Sequence, residues 1–380
     1  MMTLDQNKIA SAMQKEISAD IASGRVGGAA VLVKQHGKDI YRACFGQSAP
    51  GKALEQNALF RLASMTKPIT AAAIIKQIER GLLSLDDPLE KFIPAYGTME
   101  IGRMREDGQL EIVGKAQRKI TILHLLTHAS GIGCEPLTAY VEGLYTPERE
   151  SDLYSVTQTY ADYPLSFEPG TEQAYSGRVG FDLLARVVEL TADMPYDEYL
   201  RQEIFTPLCM EDATFTPSEA QWERMVCLHD YKDGQSLFHP LDRAHVFGPL
   251  PLGYFCGGAG LVATLSDYEK FAGMLLRGGK AESGEQLLRE QSICLMRTPA
   301  ISEAIMPGNQ RWGLGMRVIT DASYPALPTN AYGWSGAYGT HFWIDPDNDI
   351  IGIYMKNSHY DGGSGAMTAV HFEKNVYLPQ

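Results

Sequence analysis

The sequence predicts a mixed α/β (α+β) protein in which the two ends of the chain form one domain and the middle forms a second, mostly helical one. β-rich runs occur near both ends, at residues 28–45 and 341–355, whereas residues 82–252 show helical patterns and few alternating strands. The chain has 380 residues, of which 44% are hydrophobic, so it can bury a large core. We therefore expect a cleft where the two units meet.

The first elements follow from the spacing of apolar residues. An apolar residue recurs every fourth position from residue 9 to residue 21, which predicts an N-terminal helix with one buried face. Residues 28–35 and 39–45 are β-rich runs separated by three turn residues, a pattern typical of a hairpin. Residues 67–80 form a helical pattern that is apolar on several sides and stops at Gly81, so this helix should be buried.

The remaining elements alternate less regularly. Helical patterns occur at residues 121–127 and 180–191, strands at residues 314–319, 341–345 and 350–355, and a last helix at residues 366–377. We place the α/β domain at residues 1–63 and 253–380 and the helical domain at residues 64–252. Residues 96–119 and 135–163 are expected to be loops over the cleft that set specificity.

Composition and charge exclude several classes of protein. With 46 acidic and 33 basic residues the net charge is -13, which argues against a nucleic-acid partner. The longest apolar stretch, residues 69–75, is far too short to cross a membrane. The start of the sequence lacks the pattern of a secretory signal, so we expect a cytoplasmic protein. The six cysteines contain no Cys-x-x-Cys pair and are expected to be free thiols.

Ser64 and Lys67 form a Ser-x-x-Lys pattern at the start of the buried helix. Residues three apart lie on the same helix face, so the hydroxyl and the amine can be neighbours. A serine needs a proton acceptor to act as a nucleophile, and a helix N-terminus stabilises developing negative charge. On its own the pattern is weak, because Ser64 would also serve as a helix cap.

Two later segments are the companions that this pattern requires. Tyr175, Ser176 and Gly177 follow the passage Phe-Glu-Pro-Gly-Thr at residues 167–171 and precede a helical pattern. The run Gly-Trp-Ser-Gly-Ala at residues 333–337 precedes a predicted strand. A Ser-x-x-Lys with a tyrosine or serine element and a Gly-containing strand is typical of serine acyl-transfer enzymes.

These segments resemble the serine β-lactamase and penicillin-binding-protein superfamily, in particular class C β-lactamases and family VIII carboxylesterases. Further passages that are similar to this superfamily bring the coverage to most of residues 10–356; they are residues 83–88, 124–131, 207–210, 257–267 and 312–316. The resemblance implies a β-lactamase/transpeptidase-like fold, in which an antiparallel sheet is flanked by helices and the active site lies in the cleft beside a helical domain.

The resemblance also implies a mechanism and a set of residues. Ser64 would be acylated, Tyr175 would accept its proton with help from Lys67, and the backbone N–H groups of Ser64 and Ala337 would form the oxyanion hole. The neighbouring residues would bind a small acyl substrate; they are Gly177, Trp334, Ser335 and Gly336. This chemistry requires no metal and no organic cofactor.

The chain departs from the β-lactamase pattern at two positions. Gly177 stands where the second motif ends in Asn, and Trp334 stands where the third begins with Lys. An indole cannot pair with a carboxylate as an ammonium does, so recognition should rely on apolar contacts unless Arg178 or His341 supplies the cation. We therefore expect a carboxylesterase. A β-lactamase or D-amino-acid peptidase, and a catalytically silent scaffold with the same fold, remain the alternatives.

Three other interpretations of the motifs are disfavoured. Residues 333–337 nearly match a Gly-x-Ser-x-Gly nucleophile elbow, but a strand follows where a helix is required, so Ser335 is not expected to be the nucleophile. His124 and His128 have a metal-like spacing without a third ligand. The glycines of residues 257–260 lack the context of a phosphate-binding loop and are expected to form a strand or turn near the cleft wall.

Overall fold

A large antiparallel sheet joins the two ends of the chain in the computed structural model, which describes residues 2–138, 140, 152–241 and 253–378. The strands are β1 (Gly28–Gln35), β2 (Lys38–Ala49), β3 (Lys52–Ala53), β4 (Leu59–Arg61), β5 (Glu100–Met104), β6 (Leu110–Lys115), β7 (His229–Lys232), β8 (Gln235–Phe238), β9 (Val262–Thr264), β10 (Gln310–Trp312), β11 (Arg317–Ile319), β12 (Tyr332–Ser335), β13 (His341–Asp345) and β14 (Ile350–Met355). Within those described ranges the sheet has the order β10-β11-β12-β13-β14-β1-β2-β3. Strand β1 pairs with β14, with Leu32 opposite Ile353, so the first and last strands meet at its centre.

Helices cover both faces of this sheet and fill the middle of the chain. They are α1 (Gln6–Ala22), α2 (Thr66–Glu79), α3 (Ile122–Leu126), α4 (Leu153–Thr159), α5 (Val179–Ala192), α6 (Tyr196–Leu200), α7 (Glu219–Trp222), α8 (Leu265–Leu276), α9 (Glu290–Met296) and α10 (Met367–Val376). Helices α1 and α10 pack together on one face, and α8 packs against β1 and β14. The predicted elements at residues 9–21, 28–45, 67–80, 121–127, 180–191 and 341–377 are confirmed.

The alternation of side chains along β1 divides the core into two parts. Leu32 belongs to the large cluster that contains the residues of α2 and α8, whereas Val31 and Val33 belong to the smaller cluster formed with α1 and α10. Successive strand residues point to opposite faces, so a strand that is apolar at every position must be covered on both sides. This explains why residues 29–33 of β1 and most of β14 read as continuous apolar runs.

Helix α2 lies in the interior, as its apolar pattern predicts, and Gly315 shapes its surroundings. Ala71 in α2 is fully buried, and a Cβ added to Gly315 would lie 2.5 Å from the Ala71 Cβ. Gly315 has a φ of +77°, which glycine adopts at little cost. The predicted strand at residues 314–319 is therefore shorter than expected: β11 contains only Arg317–Ile319 because the preceding residues turn against α2.

Two of the expected loops contain regular structure. Residues 96–119 were expected to be a loop, but β5 and β6 pair there as a hairpin, so that prediction was wrong. Of residues 135–163, positions 139 and 141–151 lie outside the described residues, and the rest includes α4. The proposed domain boundary at residues 252 and 253 borders residues 242–252, which are also outside the described residues, so the division stays a prediction.

Two further expectations concern membranes and thiols. In the described ranges, none of the helices has the length and apolar character that crossing a bilayer demands. The six cysteines are free thiols, as expected.

Candidate active site

Ser64 lies in a short 3₁₀ turn, Ala63–Met65, that leads directly into α2. The preceding residue, Ala63, has a φ of +48°, a left-handed conformation that costs a non-glycine residue about 1 kcal/mol or more. Ser64 is half-buried. The Lys67 Nζ lies 3.2 Å from the Ser64 Oγ, so the spacing in the sequence does bring the hydroxyl and the amine together.

Lys67 is fully buried and connects three segments of the chain. Besides Ser64, its Nζ donates to the carbonyl oxygens of Gly177 at 2.5 Å and Gly258 at 2.7 Å. An ammonium group has three N–H donors, and here each has an acceptor. The glycine-rich turn at residues 257–260 was expected only near the cleft wall; the structure makes it part of the site.

The side chains of Tyr175 and Trp334 are in contact with each other, next to Lys67. The indole Nε1–H of Trp334 donates to the Tyr175 Oη at 3.2 Å, and the Lys67 Nζ lies 5.0 Å from the centroid of the Tyr175 ring. Among the described residues, the Tyr175 hydroxyl bonds to Trp334 and not to Ser64. Catalytic hydrogen bonds often form only in the reacting complex, so the lack of a Tyr175–Ser64 hydrogen bond among the described residues does not exclude proton transfer between them.

His128 holds Tyr175 in place, a role that the sequence did not reveal. The backbone carbonyl of His128 accepts from the N–H of Ala174 at 3.1 Å, and its Nδ1 accepts from the N–H of Ser176 at 3.1 Å. Its ring also packs on the Tyr175 ring at 4.5 Å. Burial, with a smaller effect from the charge of Lys67, holds the pKa of His128 well below its usual value. The neutral imidazole is the form that accepts a hydrogen bond at Nδ1.

The turn after β12 brings Ala337 close to the residues that precede Ser64. A Cβ added to Gly336 would lie 2.2 Å from the carbonyl oxygen of Leu62, so only glycine allows this approach. The Gly336 carbonyl accepts from the N–H groups of Gly339 at 2.9 Å and Gly363 at 3.0 Å. In a planar trans peptide the C=O and N–H point in opposite directions, so the N–H of Ala337 points away from those two glycines.

Ser335 and His341 belong to a buried polar cluster. The Ser335 hydroxyl lies 2.8 Å from His341 Nδ1, His341 Nε2 lies 3.0 Å from Glu373 Oε1, and Arg317 pairs with the same carboxylate at 3.0 Å. Ser335 is 3% exposed, and His341 and Glu373 are each 1% exposed. The order serine, histidine, acid resembles a catalytic triad, but a substrate cannot reach a hydroxyl buried in this way.

The position of this cluster corrects two expectations. His341 does not supply the missing cation of the cleft, because it is buried against Glu373. The Ser335 side chain, expected to bind substrate, is occupied by His341, which leaves only its backbone for that role. Burial tends to raise the pKa of Glu373, but hydrogen bonds and charges from His341 and Arg317 outweigh that effect and hold the pKa below its usual value.

The other candidate cation, Arg178, is directed at a second buried cluster. Its guanidinium lies 6.0 Å from the Tyr160 ring and interacts electrostatically with Asp182. Asp182 accepts from the N–H of Gly258 at 3.3 Å, so it supports the turn that receives Lys67. The charge of Arg178 is therefore partly engaged with an internal carboxylate.

The histidine pair that resembled a metal site is used otherwise. His124 Nδ1 accepts from the N–H of Thr121 at 3.2 Å, as part of the N-terminal cap of α3. His128 Nδ1 accepts from Ser176. The Nδ1 atoms of both histidines thus accept from backbone N–H groups, and the His128 side chain is buried beneath Tyr175.

Residues 10–371 match the family model described as beta-lactamase. The chain belongs to the beta-lactamase family. Among similar proteins, this family member is 28% identical to Esterase EstB of Burkholderia gladioli, over 96% of this chain and 95% of the relative. It is 30% identical to Lovastatin esterase of Penicillium rubens, over 90% of this chain and 91% of the relative. The solved structure of EstCE1, a hydrolase with promiscuous acyltransferase activity, has a TM-score of 0.82 and 25% identity, over 98% of this chain and 99% of that one.

These similarities confirm the predicted superfamily and its fold. The beta-lactamase/transpeptidase-like architecture agrees with the large antiparallel sheet and its flanking helices. The chain is an enzyme of the serine hydrolase type, with relatives that include esterases.

Proposed function

We propose that this member of the beta-lactamase family is a carboxylesterase that hydrolyses small or medium acyl esters through an acyl-enzyme on Ser64. The observation that carries the proposal is the hydrogen bond from Trp334 to Tyr175. The β-lactamase pattern has a lysine at the position of Trp334. Here the indole replaces that cation and turns its only donor toward the tyrosine, so the residue serves the base and leaves no charge for a substrate carboxylate.

In the first half of the reaction, the Ser64 Oγ attacks the ester carbonyl carbon while Tyr175 takes its proton. The N–H groups of Ser64 and Ala337 stabilise the negative carbonyl oxygen. The C–O bond to the alcohol then breaks, and Tyr175 returns the proton to the leaving oxygen. Lys67 lies 3.2 Å from the Ser64 Oγ and 5.0 Å from the centroid of the Tyr175 ring, so its positive charge stabilises the negative charge that develops on both groups.

In the second half, water replaces the alcohol. Tyr175 removes a proton from the water as it attacks the acyl carbonyl, and Ser64 leaves as the free hydroxyl. Trp334 and Trp312, whose rings lie 4.5 Å apart and both pack against Tyr175, are buried and make the surroundings of the base apolar. Apolar surroundings of this kind favour an uncharged ester over a charged group.

The experiment compares p-nitrophenyl butyrate with a chromogenic cephalosporin under the same conditions. We expect a higher kcat/KM on the ester, and loss of turnover in Ser64→Ala. A matched variant, Trp334→Lys, restores the cation of the β-lactamase pattern and should shift the ratio of the two kcat/KM values toward the cephalosporin. A native enzyme with higher kcat/KM on the cephalosporin would overturn the assignment, and no turnover of either substrate would favour the silent scaffold.

A further inference from the structure

Three potential metal ligands lie together outside the catalytic residues described above. Asp230 belongs to β7, His239 follows β8, and His359 follows β14. One ligand atom from each residue can be chosen so that all three lie within 4.8 Å of one another. Asp230 and His239 are half-buried, and His359 is exposed, so the cluster is open to solvent and to an incoming ion.

Backbone hydrogen bonds hold the three residues in this arrangement. The N–H of His239 donates to the carbonyl of Leu228 at 2.8 Å, and the N–H of His359 donates to the carbonyl of His229 at 2.8 Å. The β7–β8 pairing places Asp230 on the same hairpin. Because the backbone fixes all three positions, only small rotations of the side chains are needed for the ligand atoms to converge.

The side chains already contact one another. The His239 Nε2 lies 2.9 Å from the Asp230 Oδ2, and the rings of His239 and His359 are nearly perpendicular, with centroids 5.8 Å apart. A Zn²⁺ ion with bonds of about 2.0–2.1 Å holds tetrahedral ligands about 3.3 Å apart. The ligand atoms of this cluster lie 2.9 Å apart in the Asp230–His239 pair and at most 4.8 Å apart overall, so they are close to the separation that a zinc ion requires.

The cluster differs from the other histidine–carboxylate contacts of this chain. His371 and Glu16 form a similar pair at 2.6 Å, as do His36 and Asp349 at 3.0 Å. Across the described residues, Asp230, His239 and His359 are the set in which a third such ligand joins the pair. Two imidazoles and one carboxylate, with a water in the fourth position, suit Zn²⁺ and related divalent transition metals.

We propose that Asp230, His239 and His359 bind one divalent transition-metal ion, with Zn²⁺ as the preferred ion. The N–H of Ser358, next to His359, donates to the carbonyl of Tyr338 at 2.9 Å. The Tyr338 ring packs against His359 at 5.3 Å, and Tyr338 directly follows Ala337. A bound ion therefore fastens the β7–β8 hairpin to the segment that supports the Ala337 turn.

The test uses the full chain without an affinity tag, stripped of metal with a chelator and titrated with Zn²⁺ by calorimetry. We expect one ion per chain and a higher Tm when Zn²⁺ is present. Asp230→Asn and His359→Ala should each weaken binding at least about tenfold, because the first removes the negative charge of a ligand and the second removes a ligand altogether. The control His371→Ala removes a histidine paired with a carboxylate but should leave the affinity unchanged.

A Co²⁺ spectrum identifies the ligands, because cysteine thiolates give strong charge-transfer absorption and nitrogen and oxygen ligands do not. Cys209 and Cys294 are exposed and are the competing binders. Titrations without saturable binding would overturn the proposal, as would equal affinity in the native chain and both ligand variants, or a thiolate-type cobalt spectrum. The exposed position of His359 lets His359→Ala fold normally, which its Tm without metal verifies.

Discussion

Replacing Trp334 by Phe removes the hydrogen bond to Tyr175 and keeps an aromatic ring in place. The indole Nε1–H donates to the Tyr175 Oη at 3.2 Å, and a hydrogen bond to a charged oxygen contributes about 1.5–3 kcal/mol. If Tyr175 acts as a phenolate base, losing that bond raises the barrier by a similar amount. This corresponds to a decrease in kcat/KM of about 10- to 160-fold.

Trp312 offers a matched control for this substitution. Its ring stacks on Tyr175 at 6.0 Å and is 3% exposed, but within the described ranges its Nε1 has no hydrogen-bond partner. Trp312→Phe therefore removes the same atoms from the same aromatic cluster without removing a bond to Tyr175. The assay is ester hydrolysis by both variants, with Tm measured alongside. Equal losses of kcat/KM in the two variants would refute the reasoning, because ring volume alone would then explain the effect.

Three further predictions concern buried groups. Asn at position 128 keeps an acceptor for the Ser176 N–H and tolerates the backbone φ of +56° that His128 has, so His128→Asn should retain far more kcat than His128→Ala. Equal kcat values in the two variants would contradict the role of His128 in holding Tyr175. Lys356 directly follows β14 and is fully buried, and burial lowers its pKa to about 8. Between pH 8 and 10.5 the unfolded chain therefore holds more protons, so the free energy of unfolding should rise with pH by up to about 3 kcal/mol, and urea unfolding of Lys356→Met should lack that rise. Glu373→Gln leaves the buried Arg317 without its carboxylate, so it should lower the free energy of unfolding by about 3–5 kcal/mol. A loss below about 1 kcal/mol would contradict the claim that this ion pair is buried and stabilising.

The local part of the site could be predicted from the sequence because helical geometry fixes it. Ser64 and Lys67 are three residues apart at the start of a helix, so their side chains are neighbours whatever the rest of the fold does. The paired strands at both ends of the chain could be predicted in the same way, since residues 29–33 and Ile350–Met355 form nearly unbroken apolar runs.

The long-range contacts could not be predicted in this way. Trp334 and Tyr175 are 159 residues apart, and the hydrogen bond between them depends on how two separate segments pack. His128 has a metal-like spacing from His124 and lies in the passage 124–131 that resembles the superfamily, but neither feature indicated its contacts with Tyr175 and Ser176. Ser335 follows Trp334 on β12, and successive strand residues point to opposite faces of the sheet. This alternation could have been read from the sequence, and it would have placed the Ser335 side chain on the face opposite to Trp334.

The measurement that tests the central claim most directly is intact-mass analysis after reaction with a fluorophosphonate. Ser64→Ala is compared with the native chain, and Ser335→Ala serves as the control because Ser335 has its own histidine and acid partners. We expect a single adduct on the native chain and on Ser335→Ala, and none on Ser64→Ala. An adduct on Ser64→Ala that disappears in Ser335→Ala would contradict the account and make the buried cluster the nucleophilic site.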